Sequence, residues 1–498
     1  MTGFVGGGAA LLLGRLSAAV LAWAGSLVVA RSLSPSAWGA FSFVFGLLGL
    51  IGAMSDFQLG RSILRDLANP ERNVAETTGS YVVFRSLIGV AGYGAAVTFV
   101  LASGYPLPVV STTLVAGTVL VLGSMNAGLA MAFLSKRRAP TMAALWTAAQ
   151  AVQLLVIVVD DATDHRSVIA FALPAIAYEV VLLAAQTALL RRSGLSLRLG
   201  ANTQSWRRWA TEAFPLAIGA AMAVVYDKLD VVMLSKLSTL AAVGLYAVGV
   251  KFATLAAFAG YALALPLSAE LAESWPERPD RFRACFVLAG ETVAVAALGT
   301  LGVLLPFLPH LVTALYGQRF ASASTAASLV VAASSVQMFN TLLVTSLVAL
   351  GRNRLYPSAA LAGIVVNAIL NLVLIPHLEI DGAGIATLVT ETAVLGILAA
   401  GLLRHSPIRG AIERATLAKT VLAGAVASAI AEASLAMRAE WLLALATTAL
   451  VYVGALQLLR TGGPDGLVDL LRRARTGDEA PLLEAASVGR ATMPDEGP

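Results

Sequence analysis

Eight ionisable side chains stand inside long apolar stretches of this chain: Arg15, Glu179, Asp227, Lys228, Asp230, Lys251, Glu291 and Glu391. A charge at mid-bilayer costs roughly 2.5–3.5 kcal/mol on insertion scales, so such groups line water, pair with one another or bind something charged. Arg15 sits midway along its stretch, too deep to snorkel to the headgroups as Arg85 and Asp56 can from segment ends. Its planar guanidinium matches phosphate oxygens in a bidentate fork. Arg15 therefore either clamps a phosphate or pyrophosphate, or pairs with a carboxylate of another segment, Glu179 or Asp227. Asp227 and Asp230, three residues apart, share a helix face, while Lys228 points about 100° away. Asp230 with Lys251 forms a latch, a site for an exchanging proton or sodium ion, or a static pair. Glu179 and Glu391 join them as coupling or gating candidates. The amides Gln150, Gln153, Asn367 and Asn371 can hydrogen-bond sugar hydroxyls or hold helices together. Trp146, Tyr178 and Tyr226 are aromatic faces inside the same stretches.

The elements that carry these groups are set by composition. The chain of 498 residues is 58% hydrophobic and 13% charged, a charged share far below that of an ordinary soluble domain. Met1–Ala30 holds one charge, Arg15, and Tyr81–Phe133 holds one, Arg85. A spanning helix needs roughly 20 apolar residues. Fourteen apolar segments satisfy this pattern, the first at 5–30, the seventh at 213–235, the eleventh and twelfth at 356–376 and 382–403, and the last at 440–459. The first is read as a retained span and not as a cleaved signal peptide. In hydrocarbon each must be a helix, because only internal pairing satisfies the backbone there. The fold class is thus an all-α polytopic membrane protein.

Charge in the connecting loops alternates. Loops on one side, with the tail, hold 25 basic residues and those on the other hold 5: Arg31, Arg166, Lys236, Arg319 and Arg438. Basic loops stay in the cytoplasm, which places both termini there. The net charge of +5 is accounted for by this bias, and no nucleic-acid partner is expected. The single cysteine, Cys285, excludes a disulfide framework, and the four scattered histidines offer no metal site. An enzyme would need a sizeable outward catalytic loop. The only outward acidic cluster, Asp160, Asp161 and Asp164, lies in a short loop, so no enzymatic activity is expected.

The halves repeat. "RSLSPSAWGAF" (Arg31–Phe41) returns as "SKLSTLAAVGLY" (Ser235–Tyr246), "LSKRRAP" (Leu134–Pro140) as "LGRNRLYP" (Leu350–Pro357), and Gln150/Gln153 as Asn367/Asn371. Six spans per repeat give two copies of like orientation. The expected layout is an N-terminal lobe (1–190, helices 1–6), a cytoplasmic linker (191–212), a C-terminal lobe (213–403, helices 7–12), helices 13–14 (404–460) and a disordered cytoplasmic tail (461–498). The two pseudo-symmetric six-helix lobes would surround a central cavity.

Four segments carry a family resemblance: "ARSLSPSAWGAFSFVFGL" (Ala30–Leu48), "FPLAIGAAMAVVYDKLDVVMLSKLSTLAAVGLYAVGVKF" (Phe214–Phe252), "LYGQRFASAS" (Leu315–Ser324) and "NAILNLVLIPHLEIDGAGIATLVTE" (Asn367–Glu391). Together they resemble the polysaccharide-transport family of the multidrug/oligosaccharidyl-lipid/polysaccharide exporter superfamily, which includes the O-antigen (Wzx-type) flippases. The resemblance covers residues 5–405. It implies a flippase of the bacterial cytoplasmic membrane that moves a polyprenyl-pyrophosphate glycan from the inner to the outer leaflet for surface polysaccharide biosynthesis. It also implies membrane lipids and polysaccharide polymerase and assembly proteins as partners, and no cofactor beyond a coupling proton or sodium ion. The fifth segment lacks the Ile-Pro ending of the eleventh, so the halves are not equivalent. A lipid II-type flippase and a drug/cation antiporter of the same superfamily are the alternatives; the chain lacks the Pro-Asn dipeptide of the former.

The 25-to-5 bias predicts that a reporter fused after Pro498 is active only as a cytoplasmic reporter. Activity of a periplasmic reporter at that end would overturn the even span count.

Overall fold

The computed structural model describes residues 2–56, 59–136, 138–194, 197–352, 355–403 and 414–459. The expected disordered tail lies outside them. The described residues are helical throughout their ordered elements: α1 (Thr2–Ser32), α2 (Pro35–Asp56), α3 (Gly60–Ala68), α4 (Val74–Ala102), α5 (Leu107–Ala116), α6 (Thr118–Ser135), α7 (Ala139–Ala162) and α8 (Leu173–Arg192) come first. They are followed by α9 (Thr203–Leu237), α10 (Leu240–Ser274), α11 (Pro279–Gly299), α12 (Leu308–Tyr316), α13 (Ser324–Ala349), α14 (Leu355–Leu403), α15 (Arg414–Ala436) and α16 (Trp441–Leu458).

Local sequence sets these ends. Proline occupies the first turn of α7, α8, α11 and α12, where its missing N–H would be an orphan anyway. Asn73 caps α4 by accepting from the amides of Ala75 and Glu76, and Asn202 caps α9 by accepting from Ser205. Helix α14 is two helices joined at Glu379, whose φ of 47° breaks the run just after Pro376.

Eleven helical stretches among the described residues are long and apolar enough to cross a membrane. They include Leu355–Leu402 as one stretch, which holds the expected eleventh and twelfth segments on either side of Glu379. The expected first and seventh segments coincide with α1 and α9, several of whose side chains lie outside the described residues. Between α11 and α13 the chain is itself largely helical, with α12 at Leu308–Tyr316. Large apolar side chains such as Leu87, Val90, Leu155, Val158 and Leu450 stand exposed on the spanning helices. A surface of that kind is stable against lipid, not water.

Packing divides the chain into two units, Met1–Ala247 and Val248–Pro498. In the first, α1 lies along α7, α4 along α6, α2 along α9, and α8 against α5, α6 and α7. In the second, α13 pairs with α14, α15 with α16, and α11 with α13 and α15.

Within the first unit, loops assigned to one side by charge meet one another. Asp66 on α3 is buried and accepts hydrogen bonds from Arg208 and, at 2.8 Å, from the Trp209 indole, both on α9. Arg72 approaches the same carboxylate at 3.8 Å. Arg198 bonds Glu76 at 3.0 Å, and Arg65 bonds Glu212 at 2.7 Å. The Arg65 hydrogen bond holds the Glu212 carboxyl below its ordinary range; the pair is solvent-exposed and adds little. Loops assigned to the other side also meet: Lys236 donates to the Ser103 carbonyl at 2.6 Å and lies over the Tyr105 ring, and Ser32 donates to Asp161 at 2.6 Å.

Asp66 is the buried node of the first network. Asp66→Ala leaves Arg208 and Trp209 without their acceptor, at a cost of about 1–3 kcal/mol, since Arg208 stays partly exposed to water. We expect the folded yield in detergent to fall severely, whereas Glu212→Gln should change it little. Equal yields for the two variants would refute this ranking.

Candidate functional site

Two helices bring a cation, an aromatic ring and two amides together in the first unit. Gly14 lets α1 approach α7 closely: a Cβ there would lie 2.5 Å from that of Ala143. The Thr147 hydroxyl donates to the Gly14 carbonyl at 3.3 Å and to that of Ala143 at 3.1 Å. One residue on from Gly14, the exposed Arg15 places its guanidinium 5.6 Å from the centre of the Trp146 ring. This is cation–π geometry. Trp146, Gln150 and Gln153 follow one face of α7, and the Gln150 amide donates to Gln153 at 2.8 Å. Sequence spacing suggested Arg15 and the glutamines separately. The ring that gathers them was expected only as an aromatic face.

Of the carboxylates considered as partners for Arg15, Glu179 is engaged elsewhere and the side chain of Asp227 lies outside the described residues. Glu179, on α8, receives the side-chain amide of Asn126 on α6: Asn126 Nδ2 donates to Glu179 Oε2 at 2.6 Å and to the Glu179 carbonyl at 2.9 Å. The second unit holds the same contact. Asn340 Nδ2 on α13 donates to Glu391 Oε2 at 2.6 Å and to the Glu391 carbonyl at 3.0 Å. Gln337 adds a bond to Glu391 Oε1 at 3.3 Å. Asn126 and Asn340 were not singled out from sequence. Their separation of a little over two hundred residues, like that of the repeated motifs, was the available signal.

The other amide pair, Asn367 and Asn371, is buried, and Asn371 donates to Asn367 at 2.8 Å. Both sequence-predicted amide pairs are therefore self-bonded across one turn of their own helix. Asp230, buried on α9, accepts from the Tyr246 hydroxyl at 2.9 Å. Lys251, its expected latch partner, falls in the second unit. Tyr246 sits two residues after Gly244, inside the repeated motif. At Gly244 the start of α10 meets α2: a Cβ at Gly39 would collide with the Leu240 carbonyl, and one at Gly244 with the Pro35 carbonyl.

The second unit also holds a partly open apolar cavity of about 340 Å³. Phe286 and Ala294 of α11, Phe339 of α13, Leu395 of α14 and Leu417 of α15 form its wall, with Glu291 as the charged group on it.

Tyr246 supplies a hydroxyl donor to a buried carboxylate. Tyr246→Phe should lower the melting temperature in detergent by the equivalent of about 1–3 kcal/mol. A melting temperature unchanged by Tyr246→Phe would remove this bond from the account.

The sequence matches no protein-family model and no curated protein. Solved structures do match its fold. The lipid II flippase MurJ in its inward closed conformation aligns with a TM-score of 0.73 at 12% identity, over 90% of this chain and 98% of that one. An inward-facing multidrug resistance MATE family transporter of the MOP superfamily aligns with a TM-score of 0.60 at 11% identity, over 78% and 94%. The MATE multidrug transporter DinF-BH, in complex with R6G, aligns with a TM-score of 0.57 at 12% identity, over 79% and 93%. With eleven apolar helical stretches among its described residues, the chain is a multi-pass membrane protein that shares the fold of the solved lipid II flippase and MATE transporter structures.

Proposed function

We propose that this chain is a flippase that carries a polyprenyl-pyrophosphate oligosaccharide from the inner to the outer leaflet of a bacterial cytoplasmic membrane, for surface polysaccharide assembly. In this reading it has fourteen spans in two six-helix lobes plus α15 and α16, and both termini are cytoplasmic. The apolar cavity of the second unit is the observation that supports it most. Its wall includes Phe286, Phe339, Leu395 and Leu417. A polyprenyl chain needs such a wall to stay out of water, and a small water-borne cation does not. Only the glycan and pyrophosphate then need a polar route. The Arg15, Trp146, Gln150 and Gln153 group suits them: a guanidinium for phosphate oxygens, an indole face for the apolar side of a sugar ring, and amides for hydroxyls.

Transport proceeds by alternating access in this reading. The crossing of α2 and α10 at Gly39 and Gly244 is its closed outer end, and Asp230 with Tyr246 stands near that crossing.

A second reading has one specific observation in its favour. The likeness to the lipid II flippase extends over 90% of this chain, against 78% for the MATE transporter. Deleting or depleting the gene in its own host separates the readings. Loss of surface glycan with a lipid-linked oligosaccharide trapped in the inner leaflet supports the first. Arrest of peptidoglycan synthesis supports the second. Loss of cationic-dye efflux alone would replace both with drug antiport.

For the first reading, Arg15→Ala should lower glycan display about tenfold or more at unchanged membrane abundance, equivalent to ~1.4 kcal/mol. Arg15→Lys should keep part of the display, since charge remains and the fork is lost. Full display by Arg15→Ala at normal abundance would take Arg15 out of the mechanism.

A further inference from the structure

The two Asn–Glu contacts differ at one position, and the difference concerns a proton. In each unit the asparagine nitrogen serves the glutamate twice, on its carboxyl and on its own carbonyl. In each unit the asparagine is more than nine-tenths buried, and its side-chain oxygen has no hydrogen-bond partner. A buried orphan acceptor costs about 1–3 kcal/mol. A carboxylate cannot relieve it, because an ionised carboxyl has no hydrogen to give. A carboxylic acid can, because a primary amide and a carboxylic acid complement each other donor for acceptor.

The second oxygen of each glutamate decides between the copies. Gln337, one turn before Asn340 on α13, donates to Glu391 Oε1 at 3.3 Å. The equivalent place on α6, one turn before Asn126, is Gly123. Gly123 faces the same oxygen: a Cβ on it would stand 3.2 Å from Glu179 Oε1. Where the second unit has a donor amide, the first has no side chain. Glu391 thus has an amide on each of its two oxygens and is buried, while Glu179 has an amide on one oxygen only and is partly exposed.

The surroundings add no opposing charge at Glu179. Helices α5 and α6, which pack against α8, carry no titratable side chain. Helix α7 carries only Asp160 and Asp161, in its last turn, where Asp161 holds Ser32 and Arg166. On α8 itself Tyr178 adjoins Glu179, and Arg191 and Arg192 lie in the last turn. Around Glu391, α13 has no titratable group, and α14 has Tyr356, His377, Glu379 and Asp381.

We infer that Glu179 is a proton-exchange site of the first unit and that Glu391, its copy, is not. A proton taken from water by Glu179 Oε1 makes a neutral carboxylic acid. Its O–H turns to the Asn126 side-chain oxygen, and return of the proton to water restores the carboxylate. Gly123 puts no donor on Oε1, so that oxygen is where the exchange occurs. The inference is independent of what the protein transports.

Infrared difference spectra between acidic and alkaline buffer, recorded on the purified chain in lipid nanodiscs, read the protonated carboxyl C=O band directly. We expect a titrating band that is lost in Glu179→Gln and kept in Glu391→Gln. Gly123→Gln installs the missing donor and should shift that titration to lower pH by about one unit. Gln337→Gly should give a second titrating band, lost again when combined with Glu391→Gln. Glutamine replaces glutamate at nearly equal volume, and monodispersity on gel filtration confirms that each variant is folded. Absence of a titrating band in the parent would overturn the inference. So would its survival in Glu179→Gln or its loss only in Glu391→Gln.

Discussion

Hydrocarbon cannot hydrogen-bond, and every other feature of this structure answers that constraint. The backbone answers it by being helical wherever it is long and apolar. The side chains answer it in pairs. Asn126 and Asn340 each close on a glutamate, Asn371 on Asn367, Gln150 on Gln153, and Tyr246 on Asp230. Where the chain leaves the membrane the rule relaxes, and the contacts become ion pairs. Asp66 is the exception, a buried carboxylate outside the spans that joins α3 to α9.

The spans were legible in the sequence because hydropathy acts residue by residue, with no need to know what touches what. The grouping of loops was legible for a similar reason. Arg65, Arg72, Arg198 and Arg208 were assigned to one side by charge, and in the first unit their loops do touch. Partners were not legible. The cost of a buried charge says that Glu179 needs company, and it does not say whose. Arg15 was the obvious candidate by charge, yet an indole lies against Arg15 and an amide against Glu179. Neutral partners leave no mark in a tally of charges. Asn126 and Asn340 were nevertheless visible as equivalent positions of the repeat, and a comparison of all polar residues at that spacing would have found them.

The two Asn–Glu contacts keep their form while a neighbouring position changes. An Asn–Glu contact ties α6 to α8 in one unit and α13 to α14 in the other. That tie survives whether the neighbouring position is Gly123 or Gln337. The load on the fold and the chemistry of the carboxyl are therefore carried by different residues. One can vary without the other.

The meeting of α2 and α10 at Gly39 and Gly244 has a mechanical side. Most helix contacts interlock through side chains that must change rotamer, or lift over one another, before the helices separate. At these two positions backbone lies against backbone, because neither glycine carries a Cβ. A smooth seam of this kind has little to disengage, so its parting is limited by the attraction across it and not by friction within it. A leucine at either glycine would do more than crowd the seam. It would turn a surface that separates cleanly into one that must be unpicked, and it would slow motion there in both directions.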